Sequence, residues 1–157
     1  MNIPQAVANA LPGEVYPGEI VRDDSGRKIA STTTIFPVVV AGGRAADALR
    51  SITVAQHLFG IENIVVVHHT YCGATSFTPD GLINAFRAEQ GADLSGVYDR
   101  ENIAIPDYVW SLKRDTRLVR EAKGTPKHVN IYGYLFDIDR ETLTLVVEDR
   151  SAYAASS

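Results

Sequence analysis

The chain's single cysteine follows a pair of histidines within the sequence HHTYCG, directly after an apolar run at residues 64–67. His69 and Cys72 make a His-x-x-Cys pattern at the end of a predicted buried strand. Neutral imidazole and thiolate are ligands that Zn²⁺ prefers, so the pattern predicts His69 and Cys72 as two ligands of a zinc site. Successive strand residues point to opposite faces, so we expect His68 to be a hydrogen-bonded histidine of the core or of an interface.

A catalytic zinc ion usually has three protein ligands and one open position, so this site needs a third ligand. The sequence leaves that ligand open between a carboxylate of Asp23, a carboxylate of Asp24 and a water molecule. It also leaves open whether zinc binds at all, because His69 and Cys72 can instead pack as a polar and a small apolar side chain. A further alternative makes Cys72 a nucleophile that His69 activates.

Three more side chains are candidates for a pocket around this turn. Tyr71, inside the His-x-x-Cys pattern, is either a proton donor or an aromatic lid. Arg27 and Arg44 either bind a carboxylate or bicarbonate, since guanidinium grips planar anions with two hydrogen bonds, or lie on the surface.

The order of strands and helices predicts how these residues are positioned. Apolar runs separated by helical periodicity indicate an α/β fold, with a central mostly parallel β-sheet flanked by helices and an antiparallel C-terminal hairpin at its edge. Gly60 predicts the end of a helix. The predicted helices span residues 3–11, 45–59, 80–89 and 106–124, and the predicted strands span residues 19–21, 35–40, 64–67, 128–136 and 142–147.

Composition sets the class of protein. With 157 residues, 45% hydrophobic and 22% charged, we expect a single domain over residues 1–157. The formal net charge of −4 argues against nucleic acid and anionic membranes as partners. One cysteine excludes an internal disulfide and suits a reducing compartment, and no signal-peptide pattern is visible, so we expect a cytoplasmic protein.

Four segments resemble the β-class carbonic anhydrases, in the short form common in fungi and bacteria. AGGRAADALRS at residues 41–51 resembles the family's Gly-Gly turn and following helix, and LFGIENIVVV at 58–67 resembles the strand that leads to the metal site. HTYCG at 69–73 matches the family's ligand turn, and GYLFD at 133–137 resembles its last strands. The resemblance covers roughly residues 38–147 and is poorest over residues 1–34, a predicted N-terminal arm.

Compared with the family's pattern, this chain differs at three places that belong to one pocket. The family's first strand carries Cys-x-Asp-Ser/Ala-Arg, in which the cysteine binds zinc and the Asp–Arg pair controls the fourth coordination position. This chain lacks that cysteine, and its nearest equivalent, DDSGR at residues 23–27, makes Asp24 and Arg27 the candidate pair. Val39-Val40 stand where the family has Arg-Asn, and Tyr71 replaces an aspartate.

The resemblance implies a zinc-dependent lyase of carbonate dehydratase type whose degenerate metal site makes efficient CO₂ hydration doubtful. Two alternatives stay open: a family member that acts on a different small molecule, with or without metal, and a non-catalytic dimeric binding protein. The expected partners are a small-molecule substrate, namely CO₂, bicarbonate or a small organic molecule, and a second copy of the chain in a homodimer or a multiple of dimers.

Overall fold

The computed structural model describes residues 20–22, 25, 28–31 and 36–152. The predicted helix at residues 3–11 lies outside these ranges, as do Asp23, Asp24 and Arg27. Within the described ranges, no helix is both long enough and apolar enough to span a bilayer.

The described chain combines strands and helices, as expected for an α/β fold. The elements are β1 (Ile20–Arg22), β2 (Lys28–Ser31), α1 (Leu49–Phe59), β3 (Asn63–His69), α2 (Pro79–Gln90), α3 (Arg100–Ile103), α4 (Tyr108–Glu121), β4 (Asn130–Asp137) and β5 (Thr142–Asp149). Short 3-10 turns occur at Ala41–Gly43, Ala45–Asp47 and Gly73–Thr75.

The described strands form two sheets. β1 and β2 make a small antiparallel pair, and the main sheet has the order β3-β4-β5. β3 runs parallel to β4, with Asn63 opposite Asn130 and His69 opposite Phe136. β4 and β5 form the antiparallel C-terminal hairpin that the sequence predicts. The main sheet of the described chain is therefore mixed, with one parallel and one antiparallel pair, where a mostly parallel sheet was expected.

The hydrophobic core lies between α4 and the main sheet. Leu112 and Val119 of α4 pack against Val66 of β3 and Ile131 of β4, and all four side chains are buried. Apolar residues spaced at helical intervals form the face of α4 that makes these contacts. This packing holds α4 across the strand that carries the histidine pair.

Residues 36–40 are the clearest departure from the predicted elements. They form no strand, whereas the sequence predicts one at residues 35–40. Pro37 has no N–H to donate to a strand ladder, and Val39 is 69% exposed, so the segment lacks the burial that strand pairing would give it. β2 precedes this segment and has no counterpart among the predicted strands. The helix predicted from Ala45 opens with a 3-10 turn and becomes α-helical at Leu49.

The other predicted helices and strands of the described chain are confirmed, within a few residues at each end. Gly60 ends α1 with φ 58°, in the left-handed conformation that a C-terminal glycine cap uses.

Gly43 brings another part of the chain against the end of β3. Its φ is +64°, and a Cβ there would lie 2.5 Å from the carbonyl oxygen of Val67 and 3.3 Å from Cδ2 of His68. Only glycine allows so close an approach in this conformation. The Gly-Gly turn is thus packed directly behind the histidine pair.

Candidate active site

The predicted ligands lie in one turn at the carboxyl end of β3. His69 is the last residue of the strand, and Cys72 precedes the 3-10 turn Gly73–Thr75. The Cys72 carbonyl accepts hydrogen bonds from the Thr75 amide at 3.0 Å and the Thr75 hydroxyl at 2.7 Å. Cys72 is 6% exposed. We call residues 69–75 the ligand turn.

The ring of His69 is oriented in a way that suits metal binding. Its Nδ1 lies 2.8 Å from the Thr70 carbonyl oxygen, and because that oxygen only accepts, Nδ1 carries the proton. In the neutral ring Nε2 then keeps its lone pair. Histidines that bind metals usually donate their other N–H to a carbonyl or a carboxylate in this manner. His69 and the thiol of Cys72 therefore fit zinc as a donor pair.

The described residues do not provide a complete set of zinc ligands. In the part of the chain that the structure describes, no group of three His, Cys, Asp or Glu residues is placed to hold a metal ion. Asp23 and Asp24, the carboxylates considered as the third ligand, lie outside that part. The candidate catalytic pair Asp24 and Arg27 lies outside it as well.

Tyr71 adopts an unusual backbone conformation in the ligand turn. Its φ is +57°, uncommon for a residue other than glycine. The side chain is 76% exposed, and its hydroxyl donates a hydrogen bond of 2.8 Å to Oδ2 of Asp139. That hydrogen bond raises the pKa of Tyr71, with smaller contributions from desolvation and from the charge of Asp137. The phenol therefore keeps its proton at neutral pH.

Thr70 joins the ligand turn to the hairpin between β4 and β5. Its amide donates to the Phe136 carbonyl at 2.9 Å, and its hydroxyl accepts from the Ile138 amide at 3.0 Å. Together with the Tyr71–Asp139 contact, these bonds hold the turn against the hairpin. An open groove lies between them, lined by Thr70, Tyr71, Thr75, Tyr108, Asp137, Asp139 and Arg140.

Behind the turn, three charged or polar side chains form a buried cluster: Arg44, His68 and Asp115. Their exposed fractions are 1%, 1% and 0%. Arg44 donates to Asp115 through Nε at 2.9 Å and Nη2 at 3.0 Å. Nε2 of His68 lies 3.3 Å from Oδ2 of Asp115. His68 is thus the hydrogen-bonded core histidine that the sequence predicts.

Further bonds join this cluster to the surrounding backbone. The Ala45 amide donates to Asp115 at 3.1 Å, and Arg44 also donates to the carbonyls of Ala104 and Glu101. Burial alone would raise the pKa of Asp115, but the hydrogen bonds from His68, Arg44 and Ala45, with the charge of Arg44, lower it below its ordinary value of 3.8.

Arg44 therefore resolves an open alternative, and Asp115 is a site residue that sequence reasoning missed. Arg44 is not on the surface, which was one alternative; it is buried, and its guanidinium is paired with Asp115 of the same chain rather than with a ligand. A signal was present, since Asp115 stands on the apolar face of α4 between Leu112 and Val119. A charged residue on a buried helix face requires a partner.

Comparisons with known proteins agree with this fold. No family model matches the chain. β-Carbonic anhydrase 1 of Mycobacterium tuberculosis is 30% identical over 92 residues, which make up 59% of this chain and 54% of the relative. A carbon disulfide hydrolase of Acidithiobacillus thiooxidans is 28% identical over 115 residues, covering 63% of this chain and 57% of the relative. The chain thus spans little more than half the length of these curated relatives.

Among solved structures, carbonic anhydrases and a carbon disulfide hydrolase are again similar to this chain. A carbonic anhydrase from Streptococcus mutans superimposes with a TM-score of 0.61 at 29% identity, over 68% of this chain and 63% of that one. A carbonic anhydrase from Glaciozyma antarctica gives 0.58 at 29% identity, over 68% and 64%. The apo form of a carbon disulfide hydrolase gives 0.54 at 22% identity, over 74% and 68%, a likeness of fold alone. In its fold and in its sequence, the chain is therefore similar to the β-carbonic anhydrases.

Proposed function

We propose that the chain is a zinc-dependent lyase of carbonate dehydratase type, in which His69 and Cys72 hold the metal. The observation that carries this proposal is the hydrogen bond from Nδ1 of His69 to the Thr70 carbonyl, which leaves Nε2 free to bind a metal. The similarity to β-carbonic anhydrase 1 supports the same function.

A zinc ion held there would supply Lewis acidity, which lets water act as a nucleophile near neutral pH. The proposed third ligand is a carboxylate of Asp23 or Asp24, or a water molecule. In this proposal Asp24 and Arg27 control access to the remaining position, and Tyr71, whose hydroxyl donates to Asp139, acts as an aromatic lid. Because the family's first cysteine is missing, we expect CO₂ hydration to be slow.

A second candidate function is hydrolysis of a different small molecule at the same site. Similarity to carbon disulfide hydrolases of Acidithiobacillus thiooxidans and of Acidianus favours it. Carbon dioxide and carbon disulfide are both linear, uncharged molecules with an electrophilic central carbon, so attack by water suits either. Val39, Val40 and Tyr71 make this region less charged than Arg-Asn and Asp would, which favours the more apolar substrate.

Metal content is the first test of both functions. Elemental analysis of protein purified without added zinc should give about one zinc per chain, and the Cys72→Ser and His69→Ala variants should lose it. His57→Ala is the matched control, since His57 is an exposed histidine on α1 and should leave the zinc content unchanged. Absence of zinc from the wild-type chain would exclude the metal-dependent mechanism.

Activity then separates the two substrates. Stopped-flow measurement of proton release detects CO₂ hydration, and hydrogen sulfide release detects carbon disulfide hydrolysis. The proposal expects at least one activity, lost in Cys72→Ser and kept in His57→Ala. Zinc without turnover of either compound would favour another small molecule, and neither zinc nor turnover would leave the non-catalytic binding protein.

The proposed assembly is a homodimer or a multiple of dimers, in a reducing compartment such as the cytoplasm, where the thiol of Cys72 stays available as a ligand. Sedimentation at micromolar concentration measures the mass. A monomer of 17.1 kDa at that concentration would contradict the dimer.

A further inference from the structure

The two adjacent histidines of β3 have opposite surroundings. His68 is buried against α4, whereas His69 is exposed at the end of the strand. Because side chains alternate along a strand, a shift of one residue would exchange the two rings between the inner and outer faces. Both rings can bind zinc, so a specific contact must determine which of them faces outward.

Asp115 is a partner that only the inner ring reaches. Its two carboxylate oxygens accept four hydrogen bonds, two from Arg44, one from the Ala45 amide and one from Nε2 of His68. Every donor except His68 belongs to the segment behind β3. The ring of His68 is therefore the side chain that joins β3 to this cluster.

We propose that His68 is a positioning residue that, held by Asp115, turns the end of β3 so that His69 faces outward beside Cys72. The inference rests on the proposed role of His69 as a zinc ligand. Loss of the His68–Asp115 bond would leave the strand end held by backbone bonds and by the hairpin contacts of Thr70 and Tyr71.

The same geometry assigns opposite tautomers to neighbouring rings. An ionised carboxylate only accepts, so His68 carries its proton on Nε2, and its Nδ1 is buried without a hydrogen-bond partner among the described residues. His69 carries its proton on Nδ1, which donates to Thr70. A ring that only filled space would have no such preference.

The decisive comparison is His68→Gln against His68→Leu. The amide nitrogen of glutamine occupies a place similar to Nε2 of histidine and can donate to Asp115, whereas leucine fills the space without a donor. We expect His68→Leu to weaken zinc binding by about 10- to 100-fold, as losses of outer hydrogen bonds at metal sites do. His68→Gln should keep affinity close to that of the wild type, measured by competition with a chromophoric chelator.

Asp149→Asn provides the control for general destabilisation. It breaks a bond between β5 and Arg120 of the same helix α4, away from the ligand turn, and should leave zinc affinity unchanged. Equal zinc affinity in the leucine, glutamine and wild-type chains would overturn the inference. Equal losses in the leucine and glutamine variants would overturn it too.

Two measurements need no metal and keep this inference distinct from the proposed function. Nitrogen NMR of the metal-free chain, at a pH well above the ordinary pKa of imidazole, should show His68 protonated on Nε2 and His69 on Nδ1. Amide exchange at residues 69–75 should quicken in His68→Leu and not in His68→Gln. A wild-type chain without zinc would overturn the proposed function, whereas the reverse tautomer at His68, or unchanged exchange, would overturn the positioning role.

Discussion

Asp115 is the side chain on which the interior of the site depends most. It balances the buried charge of Arg44 and also receives the Ala45 amide and the His68 ring. Replacing a buried ion pair as a whole is often tolerated, but removing one partner leaves an uncompensated charge in a medium of low polarity. The Asp115 carboxylate therefore stabilises the fold mainly by neutralising the buried charge of Arg44, and less through any single hydrogen bond.

We predict that Asp115→Asn lowers the free energy of unfolding by about 3–5 kcal/mol, because it leaves the Arg44 guanidinium buried without a counter-charge. The matched variant is Asp149→Asn on the partly exposed Arg120–Asp149 pair, where the expected loss is about 1 kcal/mol or less. Urea unfolding at neutral pH measures both. Similar losses in the two variants would show that Asp115 is no more important than a surface partner.

Elements whose apolar pattern is local were predictable from the sequence. β3, α4 and the C-terminal hairpin each carry their periodicity within a few residues, and the structure confirms them. The absence of a strand at residues 36–40 was not predictable, because a strand forms only when it pairs with a neighbouring strand. A pattern of apolar residues does not show whether such a neighbour is available. His69 and Cys72 were found together because they lie in one turn. The Arg44–Asp115 pair joins positions 71 residues apart, a distance that no local pattern reports.

Gly43 shows how one turn behind β3 depends on the absence of a side chain. We predict that Gly43→Ala is more destabilising than Gly91→Ala, although both glycines have positive φ, at +64° and +67°. A Cβ at Gly91 meets nothing within 4 Å, so that variant reports the backbone cost alone, about 1–2 kcal/mol. At Gly43 the added carbon would also meet the Val67 carbonyl at 2.5 Å.

Thermal unfolding and zinc binding should both separate these two glycine variants. Gly43→Ala should lose stability beyond the Gly91→Ala reference and should also bind zinc more weakly, because the collision falls on the end of β3. Equal stability and equal zinc affinity in the two variants would contradict this prediction. They would mean that the end of β3 shifts to make room for the added carbon without a loss of stability or of zinc binding.

The stability of the whole molecule should depend on acidity through the same buried carboxylate. The pKa of Asp115 in the folded chain lies below the ordinary value of 3.8, which approximates the unfolded chain. In the acid range the unfolded chain therefore binds more protons at this position, so stability falls as the pH falls. The contribution of Asp115 is fully present above the unfolded pKa and is lost as the pH drops through the folded pKa.

A comparison of wild type with Asp115→Asn over pH isolates that contribution. The difference in unfolding free energy should be constant near neutral pH and should shrink below pH about 4, because a protonated aspartic acid and an asparagine are both neutral. Urea midpoints measured from neutral to acid pH give this difference directly. A gap that stayed constant down to the acid unfolding transition would mean that Asp115 does not stabilise the fold as a carboxylate, and the buried cluster behind the ligand turn would then need another source of stability.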